Sequence, residues 1–239
     1  NPTPDFTVSI ADTIVCDSTE ITLEVEDLLG NVEGVKIYEL TTSQTGGIEG
    51  IQPDSEYPLE LDITDLLINT TDEVQEVTYY LKALIRDDRG GEGSGYCDHG
   101  IDTAITIYVN PTPDFSVTIM DTIVCDSTEI TLDVTDLTGS VEGVKVYELT
   151  TTASGNPGDV TGFDPGGEYP MGTDITDQLI NHTNQVQTVR YDFSAMIRDD
   201  RGGIGSAYCD HGVDTSITIY VNPTPDFTVS IADTIVCDS

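Results

Sequence analysis

Tryptophan is absent from this 239-residue chain, and only 7% of its residues are aromatic. Little is left for an aromatic core, although small β-rich repeats packed with Thr, Val and Ile tolerate such a composition. Positive charge is nearly absent too. Eight Lys and Arg stand against 44 Asp and Glu, for a net charge of −36. A surface that acidic repels phosphate backbones and anionic headgroups, which argues against nucleic acid and membrane surfaces as partners. No run of eighteen apolar residues occurs, so no helical span is encoded. No CxxC occurs either, which argues against a zinc ribbon.

What is present suffices to fold. Hydrophobic residues make up 37% and charged residues 22%, within the globular range. The acidic excess is read as solubility and mutual repulsion along an extended molecule. Cation binding, or adaptation to salt that screens the repulsion, is the alternative.

Self-comparison dominates the reading. Residues 1–18 read NPTPDFTVSIADTIVCDS, residues 110–127 read NPTPDFSVTIMDTIVCDS, and residues 222–239 return to the first form without a change. The expected domains are therefore 1–109 and 110–221, with 222–239 opening a third. The second copy is three residues longer, between the counterparts of Thr42 and Tyr57, opposite Ser154–Gly167. An insertion there implies a surface loop. The identical return after a pair of copies suggests a segment of a longer array duplicated in pairs, with targeting segments elsewhere.

Each copy reads as all-β. Phe6, Val8 and Ile10 alternate with Thr7 and Ser9, as do Ile21, Leu23 and Val25 with Thr22 and Glu24. From Val77 to Ile85 the odd positions are apolar, matched by Val189, Tyr191, Phe193, Ala195 and Ile197. Ile105, Ile107 and Val109 mark the last strand, and Asp87-Asp88-Arg89-Gly90-Gly91 reads as a turn before it. Ile63–Asn69 is the one segment read as able to hold a helical turn. Seven or so short strands per copy point to tandem immunoglobulin-like Greek-key β-sandwiches. Asn110-Pro111-Thr112-Pro113 joins them through two prolines, each of which holds its predecessor extended, so the linker is expected to be stiff.

The Val-Asn-Pro-Thr-Pro and Val-Cys-Asp-Ser motifs, the Tyr-bearing long strand and the Gly-x-Gly-Tyr-Cys loop resemble the PKD-like repeats of giant surface proteins in the Bacteroidota, including gliding-motility adhesins. The resemblance covers the whole chain. It implies secretion, cell-surface display and an adhesive or filament-forming role, and it carries no catalytic residues. The third-strand Trp often found in such repeats is missing; Tyr38 and Tyr147 stand nearest to it.

Cys16, Cys97, Cys125, Cys209 and Cys237 recur with the repeat, two per complete copy. On an exported chain they read as disulfides. Domain autonomy prefers Cys16–Cys97 and Cys125–Cys209. Immunoglobulin connectivity instead puts Cys16 and Cys97 at opposite ends of one domain, so that in a head-to-tail stack Cys16 faces Cys209. Bridged Cα atoms lie within about 7 Å, so only one scheme can hold. The partner of Cys237 is expected beyond Ser239.

Other motifs are weighed against plain structural roles. Cys97-Asp98-His99-Gly100, repeated as Cys209-Asp210-His211-Gly212, lacks a third orienting group for a Cys–His nucleophile, and no catalytic residue is assigned. Asp87 and Asp88, with Asp199 and Asp200, are the only calcium candidates. They meet neither EF-hand nor nonapeptide spacing, and neighbouring arginines neutralise them, so no cofactor is assigned. Thr13, Ser18, Thr103, Thr122, Ser127 and Thr234 follow Asp in a pattern that looks like Bacteroidota O-glycan acceptors; the competing role is a strand-entry turn capped by Asp. Asn69-Thr70-Thr71 and Asn181-His182-Thr183 match the N-glycan sequon, for which the machinery is expected to be absent. Lys36 and Lys145 are read as surface lysines rather than isopeptide donors.

The leading functional reading is a non-enzymatic, elongated extracellular stalk whose partners are neighbouring repeats. The alternative is a binding module that presents loops such as Ser43–Ser55 and Ala153–Gly167 to glycans or other surfaces.

Overall fold

The computed structural model describes residues 2–87, 96–198 and 208–230. In the first copy the strands are β1 (Phe6–Ser9), β2 (Ile14–Cys16), β3 (Thr19–Asp27), β4 (Val35–Gln44), β5 (Ile48–Glu49), β6 (Ser55–Pro58), β7 (Ile63–Asn69), β8 (Gln75–Arg86), β9 (Tyr96–Cys97) and β10 (Asp102–Asn110). One sheet runs β1-β3-β7-β5, and the other runs β2-β10-β8-β4-β6 with β9 paired to β8. The second copy repeats this order. Its strands are β11 (Phe115–Thr118), β12 (Ile123–Cys125), β13 (Thr128–Asp136), β14 (Val144–Ala153), β15 (Val160–Thr161), β16 (Gly166–Pro170), β17 (Ile175–Asn181), β18 (Gln187–Arg198), β19 (Tyr208–Cys209) and β20 (Asp214–Asn222). The chain is all-β, with four sheets forming two immunoglobulin-like sandwiches. No helix among the described residues is long and apolar enough to cross a membrane.

The period-two alternation sets which face is inside. Val77, Tyr79, Leu81, Ala83 and Ile85 of β8 are at most 1% exposed, and the first four share one core with Leu23, Leu40, Ile63, Leu67, Ile107 and Val109. A one-residue slip would turn that row out to water. Tyr38 fills the space left without a Trp: it is fully buried, stacks on Tyr57 and donates its hydroxyl to the Leu61 carbonyl at 2.8 Å. The three extra residues of the second copy lie between β14 and β15, in the turn opened by Ser154, as expected of a surface loop.

Ile63–Asn69 is a strand and holds no helical turn. Its inward row is Ile63, Asp65, Leu67 and Asn69, so two of four core-facing residues are polar and the apolar alternation is hidden. Each polar group is satisfied. Tyr79 donates its hydroxyl to Asp65 at 2.6 Å, and the Gln52 amide donates to both carboxylate oxygens at 3.2 Å. Tyr191 and Asp177 repeat the buried pair at 2.5 Å.

The molecule divides into two compact units. The first comprises Asn1–Ser116 with Thr135–Tyr147 and Ser194–Val213; the second comprises Val117–Val134, Glu148–Phe193 and Asp214–Ser239. Cys16, Cys97, Cys209 and the linker residues up to Ser116 belong to the first unit, and Cys125 belongs to the second.

Candidate functional site

The site begins with a short parallel pairing. Asp12 accepts the Ile14 amide at 3.0 Å and turns the chain, and the Thr13 carbonyl accepts the Tyr108 amide at 2.8 Å. β2 is thereby laid parallel on β10, in a register that sets Cys16 beside Asn110. The next residues lock that position. Asp17 accepts the Asn69 amide at 2.7 Å and, through its other oxygen, the Thr112 hydroxyl at 2.9 Å. Ser18 then takes a left-handed backbone, with φ of 59°.

The opposite wall is built on β19. Cys209 lies beside Ile197 of β18 and is 5% exposed. Gly212 approaches β18 so closely that a Cβ would fall 2.1 Å from the Ala195 carbonyl oxygen, which only glycine allows. The Val213 amide donates to the Pro113 carbonyl at 2.9 Å, tying this strand to the linker.

Cys16 and Cys209 are joined by a disulfide, with Cα atoms 5.4 Å apart. The preferred pairing inside each copy, Cys16–Cys97 and Cys125–Cys209, is thus corrected: Cys97 is unpaired and half-buried, and Cys125 is unpaired and exposed. The register explains why. Cys16 sits beside Asn110 at one end of β10, whereas Cys97 sits beside Ile85, beyond the Asp102–Lys82 pair at its other end. At the rise of a β-strand the two lie roughly 35 Å apart. The far-end geometry weighed in the sequence accounts for the observed bond. Cys237 and Thr234 lie outside the described residues.

The linker is held as tightly as the bridge. Asn110 is 1% exposed; its Nδ2 donates to the Glu142 carbonyl at 2.9 Å and its Oδ1 accepts the Glu142 amide at 2.8 Å. The Gly139 amide donates to the Asp72 carbonyl and the Val74 amide to the Ser140 carbonyl, both at 2.7 Å. A Cβ at Gly139 would meet Glu73 and Asp72 within 2.8 Å. Pro111 and Pro113 are buried. Sequence reasoning missed this role for residues 72–74 and 138–142, since nothing in a Gly-Ser or Glu-Val pair announces a partner. A linker this short leads one to expect residues 202–208 against Ala11–Glu20, an expectation that falls mostly on residues 199–207, outside those described. His211, just beyond, lines a cleft with Asp12, Val15, Cys16 and Thr112.

The remaining candidates take structural places. Asp98 and His99 pair at 2.9 Å on the surface, as do Asp210 and His211 at 2.6 Å. Among the described residues no group of three His, Cys, Asp or Glu is arranged to hold a metal ion. Asp87 is described, while Asp88, Asp199 and Asp200 are not. Thr122, Ser18 and Ser127 are exposed, and Thr13 and Thr103 are half-buried. Asp121, like Asp12, accepts the amide two residues on, at 2.9 Å, so the Asp-Thr-Ile motif does serve as a capped strand entry. Asn69 and Asn181 are each 6% exposed and spend both amide nitrogen and oxygen inside the fold, as on the Val109 and Val221 carbonyls at 2.8 and 2.9 Å. Lys36 pairs with Asp27 and Lys145 with Asp136, and neither forms a bond to Asn.

No protein-family model and no curated protein matches the chain. Among solved structures it is similar to the FN1–FN3 domains of chicken CNTN1, at 14% identity over 92% of this chain and 66% of that one, with a TM-score of 0.33. It is also similar to the Escherichia coli adhesin FdeC (18% identity, 92% of this chain, 64% of that one, TM-score 0.38). A third likeness is to the Yersinia pseudotuberculosis adhesin InvE (14%, 91%, 58%, TM-score 0.31). The chain spans only 58–66% of the length of these three. Scores this low carry no argument about what the chain does.

Proposed function

We propose that this chain is a structural segment of an extracellular, cell-surface array, a stalk in which successive repeats are locked to one another rather than strung on free linkers. The proposed repeats are 1–109 and 110–221, with a third opening at residue 222. The observation that carries the reading is the Cys16–Cys209 bridge beside the buried Asn110-Pro111 linker. A bond from the start of one copy to the end of the next holds their joint, which is what a shaft requires. Disulfides persist in oxidising compartments, which supports display outside the cell. The net charge of −36 supports solubility and repulsion between neighbouring stalks. The enzymatic reading has no support in the residues described.

The test is surface labelling. Antibodies raised against residues 1–221 should decorate intact cells that express the full-length protein, and mild external proteolysis should remove the signal. Labelling that appears only after the envelope is opened would overturn the proposal.

A further inference from the structure

The bridge does more than hold a joint, because its ends are far apart in sequence. Cys16 and Cys209 are separated by 193 residues. Any pull applied before Cys16 and after Cys209 reaches the bond directly, and the covalent path between them bypasses everything from residue 17 to residue 208. Both covalent exits also lie side by side. Cys16 is the register partner of Asn110, the residue that begins the linker through Pro111. The short path through sulfur and the long path through the backbone therefore leave the first copy at one place, and the shorter one tightens first.

We infer that the Cys16–Cys209 disulfide carries tension and removes most of both sandwiches from its line. Under load, β1, β2 and the segment from β19 through β20 carry the force. The sheets formed by β3 to β8 and β13 to β18 stay slack inside the closed loop. Unfolding of the enclosed residues then adds no length to the molecule. The rest of the site supports the bond. Asp17 ties the residue after Cys16 to Asn69 and Thr112, so the strand that takes the pull is anchored at both the sheet and the linker. Cys209 is buried, and Gly212 and Val213 seat its strand against β18 and Pro113.

The repeat extends the scheme. Cys125 is the counterpart of Cys16, and Cys97 the counterpart of Cys209. Asp126 accepts the Thr224 hydroxyl at 2.5 Å, just as Asp17 accepts that of Thr112. In a longer array of these repeats, one bridge per joint would give loops that overlap across residues 125–209. The interior of every repeat would then be shielded.

This inference rests on the stalk reading for its biological use, but the mechanics can be tested alone. The chain carrying Cys97→Ser, Cys125→Ser and Cys237→Ser, which leaves one possible disulfide, is held by handles at its two ends and stretched singly. Oxidised molecules should release no large length step at any force that leaves the bond intact. Adding a reductant to the same tethered molecules should release the enclosed segment, roughly 640–690 Å at full extension. Because the reductant acts on an already folded molecule, the result does not depend on whether a Cys16→Ser variant folds. Equal length release before and after reduction would overturn the inference while leaving the stalk reading to stand or fall on surface labelling.

Discussion

Asn110 and Glu142 hold each other through a reciprocal pair of hydrogen bonds, from the Asn110 Nδ2 to the Glu142 carbonyl and from the Glu142 amide to the Asn110 Oδ1. Only a carboxamide can donate and accept in that plane. Asn110→Asp removes the donor and sets a buried carboxylate against a carbonyl oxygen. The expected loss is about 2–4 kcal/mol in urea unfolding of the oxidised chain. The same change at Asn222, which is only partly buried, should cost clearly less. Equal losses at the two positions would show that the pairing contributes nothing specific.

The latch on Asp17 predicts a graded series. Thr112→Val deletes an exposed hydroxyl bond and should cost about 0.5–1 kcal/mol. Asp17→Ala also strands the Asn69 amide and should cost about 2 kcal/mol or more. Thermal melts of both variants in the oxidised state check the order, which should not invert.

Burial raises the Asp65 carboxyl above its ordinary value, against the lowering effect of the Tyr79 and Gln52 hydrogen bonds. A raised folded-state pKa means that the stability Asp65 contributes is present below its unfolded pKa near 3.8 and is lost as pH rises through the folded value. Asp65→Asn abolishes this titration. The stability of the variant relative to the parent should therefore shift in the variant's favour between about pH 3 and pH 7. Parallel denaturation curves across that range measure the difference; a flat difference would place Asp65 in water.

The Tyr79 hydroxyl supplies a charge-assisted bond in the core, since Asp65 receives it at 2.6 Å. Tyr79→Phe should cost about 1.5–3 kcal/mol while leaving the sheet content seen by circular dichroism unchanged. Tyr191→Phe, which unpairs Asp177, should act alike on the second sandwich.

Thiol chemistry distinguishes the cysteines. In the folded, oxidised chain Cys97 and Cys125 should react with an alkylating reagent, the exposed Cys125 faster, while Cys16 and Cys209 stay protected. A non-reduced digest should yield a peptide pair linking Cys16 to Cys209. A Cys16–Cys97 peptide as the main product would reinstate pairing within one copy.

By itself the sequence determined the repeat, its β class and most of the core. The row from Val77 to Ile85 and its partner from Val189 to Ile197 alternate without interruption, and alternation follows from the two-residue pleat alone. It determined the cysteine count and both possible pairings, but not the choice between them. The strand at Ile63–Asn69 is not legible in the sequence because Asp65 and Asn69 point inward, and a polar core residue is recognisable only once its partners, Tyr79 and the Val109 carbonyl, are brought to it. Asn69 and Asn181 match the N-glycan sequon in sequence, and only burial shows that they belong to the core. The tertiary structure decided the bridge. Which end of a sandwich a cysteine occupies depends on strand register and sheet order, and those arise from contacts between residues scores of positions apart, such as Cys16 beside Asn110 and Cys97 beside Ile85. Local patterns report which face a residue shows. Only the assembled sheets set which distant residues share an end.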